Sequence, residues 1–212
     1  MNFEEIMESV LTVDLDSLMG ETLPSPQEID ALKDNSDRRL WIYEDITESL
    51  LGYAKRIIRW NRDDIGIPIE ERKPITVYLY SYGGDGNACL SFIDTIRLSK
   101  TPVRVVCMGI AMSAGSFILL AAPKGSRYIT KHATILLHQG SSATSGTAEQ
   151  VLSASKDYQH FLKELETLTI ESTNIDKKMW NKIKGKETYL YADDCIKYGI
   201  ADKIIDGIDE II

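Results

Sequence analysis

Positive charge is missing from the start of this 212-residue chain, where no Lys or Arg precedes Lys33. A secretory signal peptide needs a basic n-region, so none is expected. Long apolar runs are missing as well. The longest, Ala114 to Pro123, contains Gly115 and Ser116 and is far too short to span a bilayer. Cysteine is scarce: Cys89, Cys107 and Cys195 are widely spaced, odd in number and form no CxxC pair. They read as reduced, mostly core thiols of a cytosolic protein rather than a disulfide framework. Histidine is limited to His132, His138 and His160. The net charge of −8 argues against nucleic acid as a partner. Neither an internal repeat nor a low-complexity segment is present.

What remains is the composition of a soluble globular protein, 43% hydrophobic and 26% charged, at a length that suits one α/β domain. The acidity is concentrated. Residues 1–30 carry Glu4, Glu5, Glu8, Asp14, Asp16, Glu21, Glu28 and Asp30 without a base, and the rest of the chain is neutral. Residues 1–30 therefore read as a distinct acidic segment, either a solvated tail or an arm that docks on a neighbour or is removed. Leu23-Pro24-Ser25-Pro26 reads as a linker, and 31–212 as the folded domain.

From residue 38 the pattern alternates strand and helix. Arg39 to Tyr43 is a short strand. Asp45 with Glu48 has the form of a capping box, followed by an apolar stripe of Ile46, Leu50, Ala54, Ile57 and Ile58. Asn61 to Lys73 reads as a polar loop. Pro74 to Tyr80 is a strand running into Gly83-Gly84-Asp85-Gly86 and a helix through Ile96. Val103 to Met108 is a strand closed by Gly109, and a helix follows from Ser113. Thr134 to His138 is another strand, and a long helix covers about Ala148 to Leu168. This order predicts a largely parallel sheet with crossover helices.

Open α/β sheets place their sites beyond the carboxyl ends of the strands. Ser113 opens an apolar helix there, where free N–H groups and the helix dipole favour negative charge. Alone, such a serine is an ordinary N-cap. Gly83-Gly84 ends a neighbouring strand and offers amides unobstructed by side chains, suited to an oxyanion or simply to a tight turn. His138 is the one histidine at a strand end. Together the three form a constellation fit for nucleophilic catalysis.

These residues resemble the proteolytic subunit of the caseinolytic (Clp) protease. The likeness rests on Tyr78 to Gly84, Cys107 to Gly115, Leu137-His138-Gln139 and Tyr198 to Asp202, in order and without gaps from about Tyr78 onward. It implies a ClpP/crotonase-like core of repeated βα units with a protruding helix–strand handle. It implies a serine endopeptidase with Ser113 as nucleophile, His138 as base, and the Gly84 and Ala114 amides as oxyanion donors. The family's aspartate falls on Glu187, one methylene longer, and Asp193, Asp194 and Asp176 are the other acids to weigh. The resemblance further implies self-assembly into stacked rings (a tetradecamer), a cytoplasmic setting, and an AAA+ unfoldase ATPase that feeds unfolded polypeptides. ATP would be used by that partner, with no cofactor or metal in this chain. Three departures stand out: Tyr80-Ser81-Tyr82 replaces Asn-Ser-Pro, Gly140 replaces a proline, and Lys186 replaces an arginine. Without that proline the following segment, Gly140 to Gly146, is freer. The alternatives are a catalytically silent or regulatory paralogue and a crotonase-type acyl-CoA enzyme. Ser113 with His138 disfavours the latter.

Overall fold

The computed structural model describes Glu4 and residues 24–212, so most of the acidic segment 1–30 lies outside the described residues. Helix α1 (Pro26–Ser36) opens with a capping box. The Ser25 side chain accepts from the Glu28 amide, while the Ser25 amide donates to Glu28 Oε2 at 2.7 Å. Pro26 occupies the first helical position, where its missing N–H costs nothing. The Pro-Ser-Pro run is thus a helix start, and α1 continues across residue 30.

The expected alternation follows: β1 (Arg39–Ile42), α2 (Leu50–Asp63), β2 (Ile75–Ser81), α3 (Gly86–Leu98), β3 (Val103–Met112) and α4 (Ala114–Ala121). Then come β4 (Arg127–Ile129), β5 (Thr134–Leu137), α5 (Ala148–Ser172), α6 (Lys177–Ile183), β6 (Thr188–Tyr191), α7 (Ala192–Lys197) and β7 (Lys203–Ile204). The sheet runs β1-β2-β3-β4-β7, with β5 branching onto β3 and β6 onto β5. All pairings are parallel except β5–β6. Ile75, Val77 and Leu79 pack on the main core with Phe92, Ile96 and Phe117 from the helices. On the opposite face Tyr78, Val106 and Ile211 form a smaller cluster, and the Tyr78 hydroxyl donates to the Ile211 carbonyl. The β2 strand is covered on both sides, which is why it reads as a near-continuous apolar run.

Several local expectations are corrected. Asp45 and Glu48 do not cap a helix. Ile46 is held extended because its N–H donates to Gly83 O at 2.7 Å and its carbonyl accepts from the Asp85 N–H at 2.7 Å. The helix therefore starts at Leu50, and Ser49 makes no side-chain cap bond. Ile58, placed in the apolar stripe, is exposed, and Trp60 is buried instead. The Asn61–Lys73 loop is partly helical, since α2 runs to Asp63 and a 3-10 turn covers Ile69–Glu71. β3 does not end at Gly109. That residue has φ +122°, and the register with β2 slips there, from Leu79↔Cys107 to Ser81↔Ala111. The resulting bulge carries the strand on to Met112, where it pairs with β5. Of the handle, the helix is present as α5, while residues 138–147 carry neither strand nor helix. Among the described residues no helix is long and apolar enough to cross a membrane.

Candidate active site

Ser113 joins β3 to α4 with φ +53° and ψ −123°. A non-glycine residue in that region costs roughly 1–3 kcal/mol and persists only when its surroundings impose it. The restraints are visible. The Ser113 N–H donates to Leu136 O at 3.0 Å, and the Ser113 carbonyl accepts from both the N–H (3.0 Å) and Oγ (2.6 Å) of Ser116. The Ser113 hydroxyl does not cap α4. It meets His138 Nε2 at 2.7 Å instead. His138 follows the last residue of β5, so the parallel pairing of β3 with β5 brings the two side chains together.

The antiparallel β5–β6 pairing ends with Leu137 opposite Thr188, and His138 and Glu187 are the residues that adjoin this last pair. Gln139 N–H donates to Lys184 O at 2.8 Å, which holds the approach to Glu187 against the histidine loop. The Glu187 side chain nonetheless lies elsewhere: its Oε2 accepts from the Tyr189 hydroxyl at 2.9 Å. That hydrogen bond, with the adjacent negative charge, raises the Tyr189 phenol above its ordinary pKa. Among the described residues, His138 has Ser113 as its one side-chain hydrogen-bond partner. The other acids serve helices. Asp176 caps α6 by accepting from Met179 N–H at 2.7 Å, and Asp193 and Asp194 lie in the first turn of α7. His160 is exposed on α5, 3.9 Å from Glu164, and His132 is exposed in the turn before β5.

The two amides expected at an oxyanion are fixed by different elements. Gly84 has φ +146° and forms a bridge with Ile46 whose bonds run through Gly83 O and the Asp85 N–H. Among the described residues, the bridge leaves the Gly84 N–H without a backbone partner. A Cβ on Gly84 would lie 2.2 Å from Ile46 O, so the approach excludes any side chain. One on Gly83 would lie 2.7 Å from both Met112 O and Ser113 Cβ. Ala114 is the first residue of α4, where an N–H has no intrahelical acceptor.

These groups face a cleft of about 500 Å³. Ser113, His138, Gly84 and Ala114 line it together with the apolar side chains of Phe117, Phe161 and Leu165. One wall is the inner stripe of α5, and the other is the segment from Gln139 to Thr144. Cys89 lies in the floor with its Sγ 3.1 Å from Ala114 O, and burial pushes its thiol up to about 12. It is no nucleophile at neutral pH. All three cysteines are buried and free. Among the described residues, no three His, Cys, Asp or Glu side chains are grouped to hold a metal.

A model of the Clp protease family matches residues 68–207. The chain belongs to that family. It is 35% identical to the ATP-dependent Clp protease proteolytic subunit 2 of Treponema denticola over 132 residues, 62% of this chain and 66% of that protein. The matched segment thus spans just under two thirds of that relative. It is 28% identical to the ATP-dependent Clp protease proteolytic subunit 2 of Bifidobacterium longum over 176 residues, 82% of each. A structure of a ClpP1 variant from Listeria monocytogenes superimposes with a TM-score of 0.73 at 24% identity, covering 85% of this chain and 98% of that one. The fold is therefore that of the Clp proteolytic subunit.

Sequence reasoning missed Cys89, Asp157, Tyr158, Phe161 and Tyr189 as neighbours of this Clp-family site. A signal for part of the set was available. Ala154, Asp157, Tyr158, Phe161 and Leu165 recur at helical spacing on one face of α5. The aromatic members read as ordinary core without knowledge of what that face covers.

Proposed function

We propose that this chain is a serine endopeptidase that cleaves unfolded polypeptides inside an oligomeric chamber. The observation that carries the reading is the 2.7 Å contact between Ser113 Oγ and His138 Nε2, on a strained turn above a cleft. Ser113 Oγ attacks the scissile carbonyl carbon while His138 Nε2 takes its proton. The oxygen gains negative charge between the amides of Gly84 and Ala114. The C–N bond then breaks, and the proton passes from His138 to the leaving amine. Water repeats the sequence on the acyl-serine and releases the acid. Glu187 serves as the third member when its side chain leaves Tyr189 and accepts from His138 Nδ1–H. The chemistry uses no metal, and ATP is spent by a separate AAA+ unfoldase.

Exposed apolar groups support assembly into stacked rings, a tetradecamer. Tyr43, Tyr82, Tyr191 and Leu152 are 58–75% exposed, and Val151 beside Leu152 on α5 is 37% exposed, a cost that a monomer would bear alone. Three buried, unpaired cysteines fit a reducing, cytoplasmic setting.

A second reading, a catalytically silent paralogue within such a ring, is favoured by one contact, the Tyr189–Glu187 hydrogen bond. One experiment separates them. The purified chain is tested for hydrolysis of a fluorogenic peptide and for labelling by a fluorophosphonate, beside Ser113→Ala. The peptidase hydrolyses and is labelled at Ser113, and the variant does neither. A silent paralogue does neither in both forms, and Glu187→Asp is then the variant that restores hydrolysis. Light scattering tests assembly, and a 24 kDa monomer at micromolar concentration refutes the ring.

A further inference from the structure

The cleft has an uneven charge. Its floor is apolar, its Gln139–Thr144 wall is neutral, and among the described residues lining it the one Asp, Glu, Lys or Arg is Asp157. Asp157 sits on the inner stripe of α5, one residue before Tyr158 and one turn from Phe161. Two contacts orient that stretch of helix over the catalytic pair. The Tyr158 hydroxyl donates to the carbonyl of Gln139, next to His138, at 3.3 Å. The Phe161 ring fills the space a Cβ on Gly86 would need, 2.5 Å from it. Asp157 is exposed and, among the described residues, forms no ion pair. The nearest basic group one turn along, His160, leans to Glu164 instead.

We infer that Asp157 is a specificity-determining residue, selecting peptides that carry a Lys or Arg side chain beside the apolar residue seated on Phe161. The inference rests on the peptidase reading and deepens it. An apolar floor holds one side chain, and the unpaired carboxylate at its edge favours a cation next to it and disfavours an acid. Because the carboxylate is solvated, the selection is modest, about two- to fivefold, and salt weakens it. It acts on binding and therefore shows in KM rather than kcat.

The test uses N-acetylated fluorogenic peptides with one fixed apolar residue. A single Lys, norleucine or Glu is placed in turn at each of the three positions on either side. At one position Lys is expected to be favoured over norleucine, and norleucine over Glu, through KM. Asp157→Asn brings the Lys/norleucine ratio to one, Asp157→Lys inverts it, and Asp157→Glu keeps it. A Lys preference that survives Asp157→Asn, or hydrolysis with no charge preference at any position, overturns the inference and leaves the peptidase standing. No hydrolysis together with no fluorophosphonate label at Ser113 overturns both.

Discussion

The Tyr189 hydroxyl donates to Glu187 at 2.9 Å, and Glu187, like His138, adjoins the last β5–β6 pair, Leu137 with Thr188. Under the proposed mechanism this one carboxylate has two competing partners, Tyr189 and His138. Removing the competitor frees it for the imidazole. Tyr189→Phe is expected to raise kcat severalfold, and the gain should vanish when combined with Glu187→Gln. Glu187→Gln alone should keep fold and assembly and lose roughly four orders of magnitude in kcat, as when the acid of a working triad becomes an amide. Glu187→Asp retains activity. A Glu187→Gln enzyme as fast as the parent moves the role to Asp193, Asp194 or Asp176.

Under the proposed mechanism Ser113 and His138 serve one step, so their removal should not add. Each single Ala variant is expected to cost several orders of magnitude in kcat, and the double variant little more. Peptide hydrolysis by Ser113→Ala at the parental rate sinks the assignment.

Gly84 is constrained twice, by φ +146° and by the 2.2 Å approach of Ile46 O to any added Cβ. Gly84→Ala should lower stability by about 2 kcal/mol or more through strain alone. It should also cost about 10²–10³ in kcat by displacing an oxyanion donor. Gly52 has nothing within 4 Å of an added Cβ and sits in a helix, so Gly52→Ala is the control that stabilises by up to about 1 kcal/mol. Urea denaturation and peptide assays read both.

Much of this was legible in the residues. The alternation from Arg39 to the end of α5, and the pairing of Ser113 with His138, follow from apolar runs ending in Ser, Gly and His. The short strands β4 and β7 were not, because Arg127–Ile129 and Lys203–Ile204 are too brief to show a period. Asp45 and Glu48 carry a genuine helix-start pattern that tertiary bonding of Ile46 overrides. Glu187 was named by resemblance alone, and the partner its side chain takes depends on Tyr189, two residues further on in β6. No spacing rule predicts which of two acceptor sites a flexible side chain takes.

Arg127 is 2% exposed and pairs with Asp202 at 2.5 Å, while its Nη1 donates to Ser172 O and Gly199 O. Burial pushes the Asp202 carboxyl up, but its bonds to Arg127 and to the Gly125 amide outweigh that and leave it below its ordinary pKa. A carboxyl lowered by folding stabilises the fold above its unfolded value, about pH 4, and the benefit is lost as pH falls through the lower folded value. Asp202→Asn should therefore cost about 2–3 kcal/mol at pH 7, with Arg127 left short of a counter-charge, and the gap to the parent should narrow below about pH 4. Denaturation curves at pH 7, 5 and 3 check this, and a constant gap across them counts against the pair.

The Ile46–Gly84 bridge also has a bearing on when, under the proposed activity, the chain could harm its neighbours. Ser113 and His138 are set by the pairing of β3 with β5, but the Gly84 amide is aimed only after a different segment, 38 residues earlier, has docked beside it. Such a non-local contact carries a loop-closure cost that bonds within a single turn do not. Under the proposed activity, an emerging or half-folded copy would hold a nucleophile with one of its two charge-stabilising donors unset. Hydrolytic competence would then wait on tertiary docking rather than on the serine turn alone, which gives a cell making this chain an interval of safety written into its connectivity.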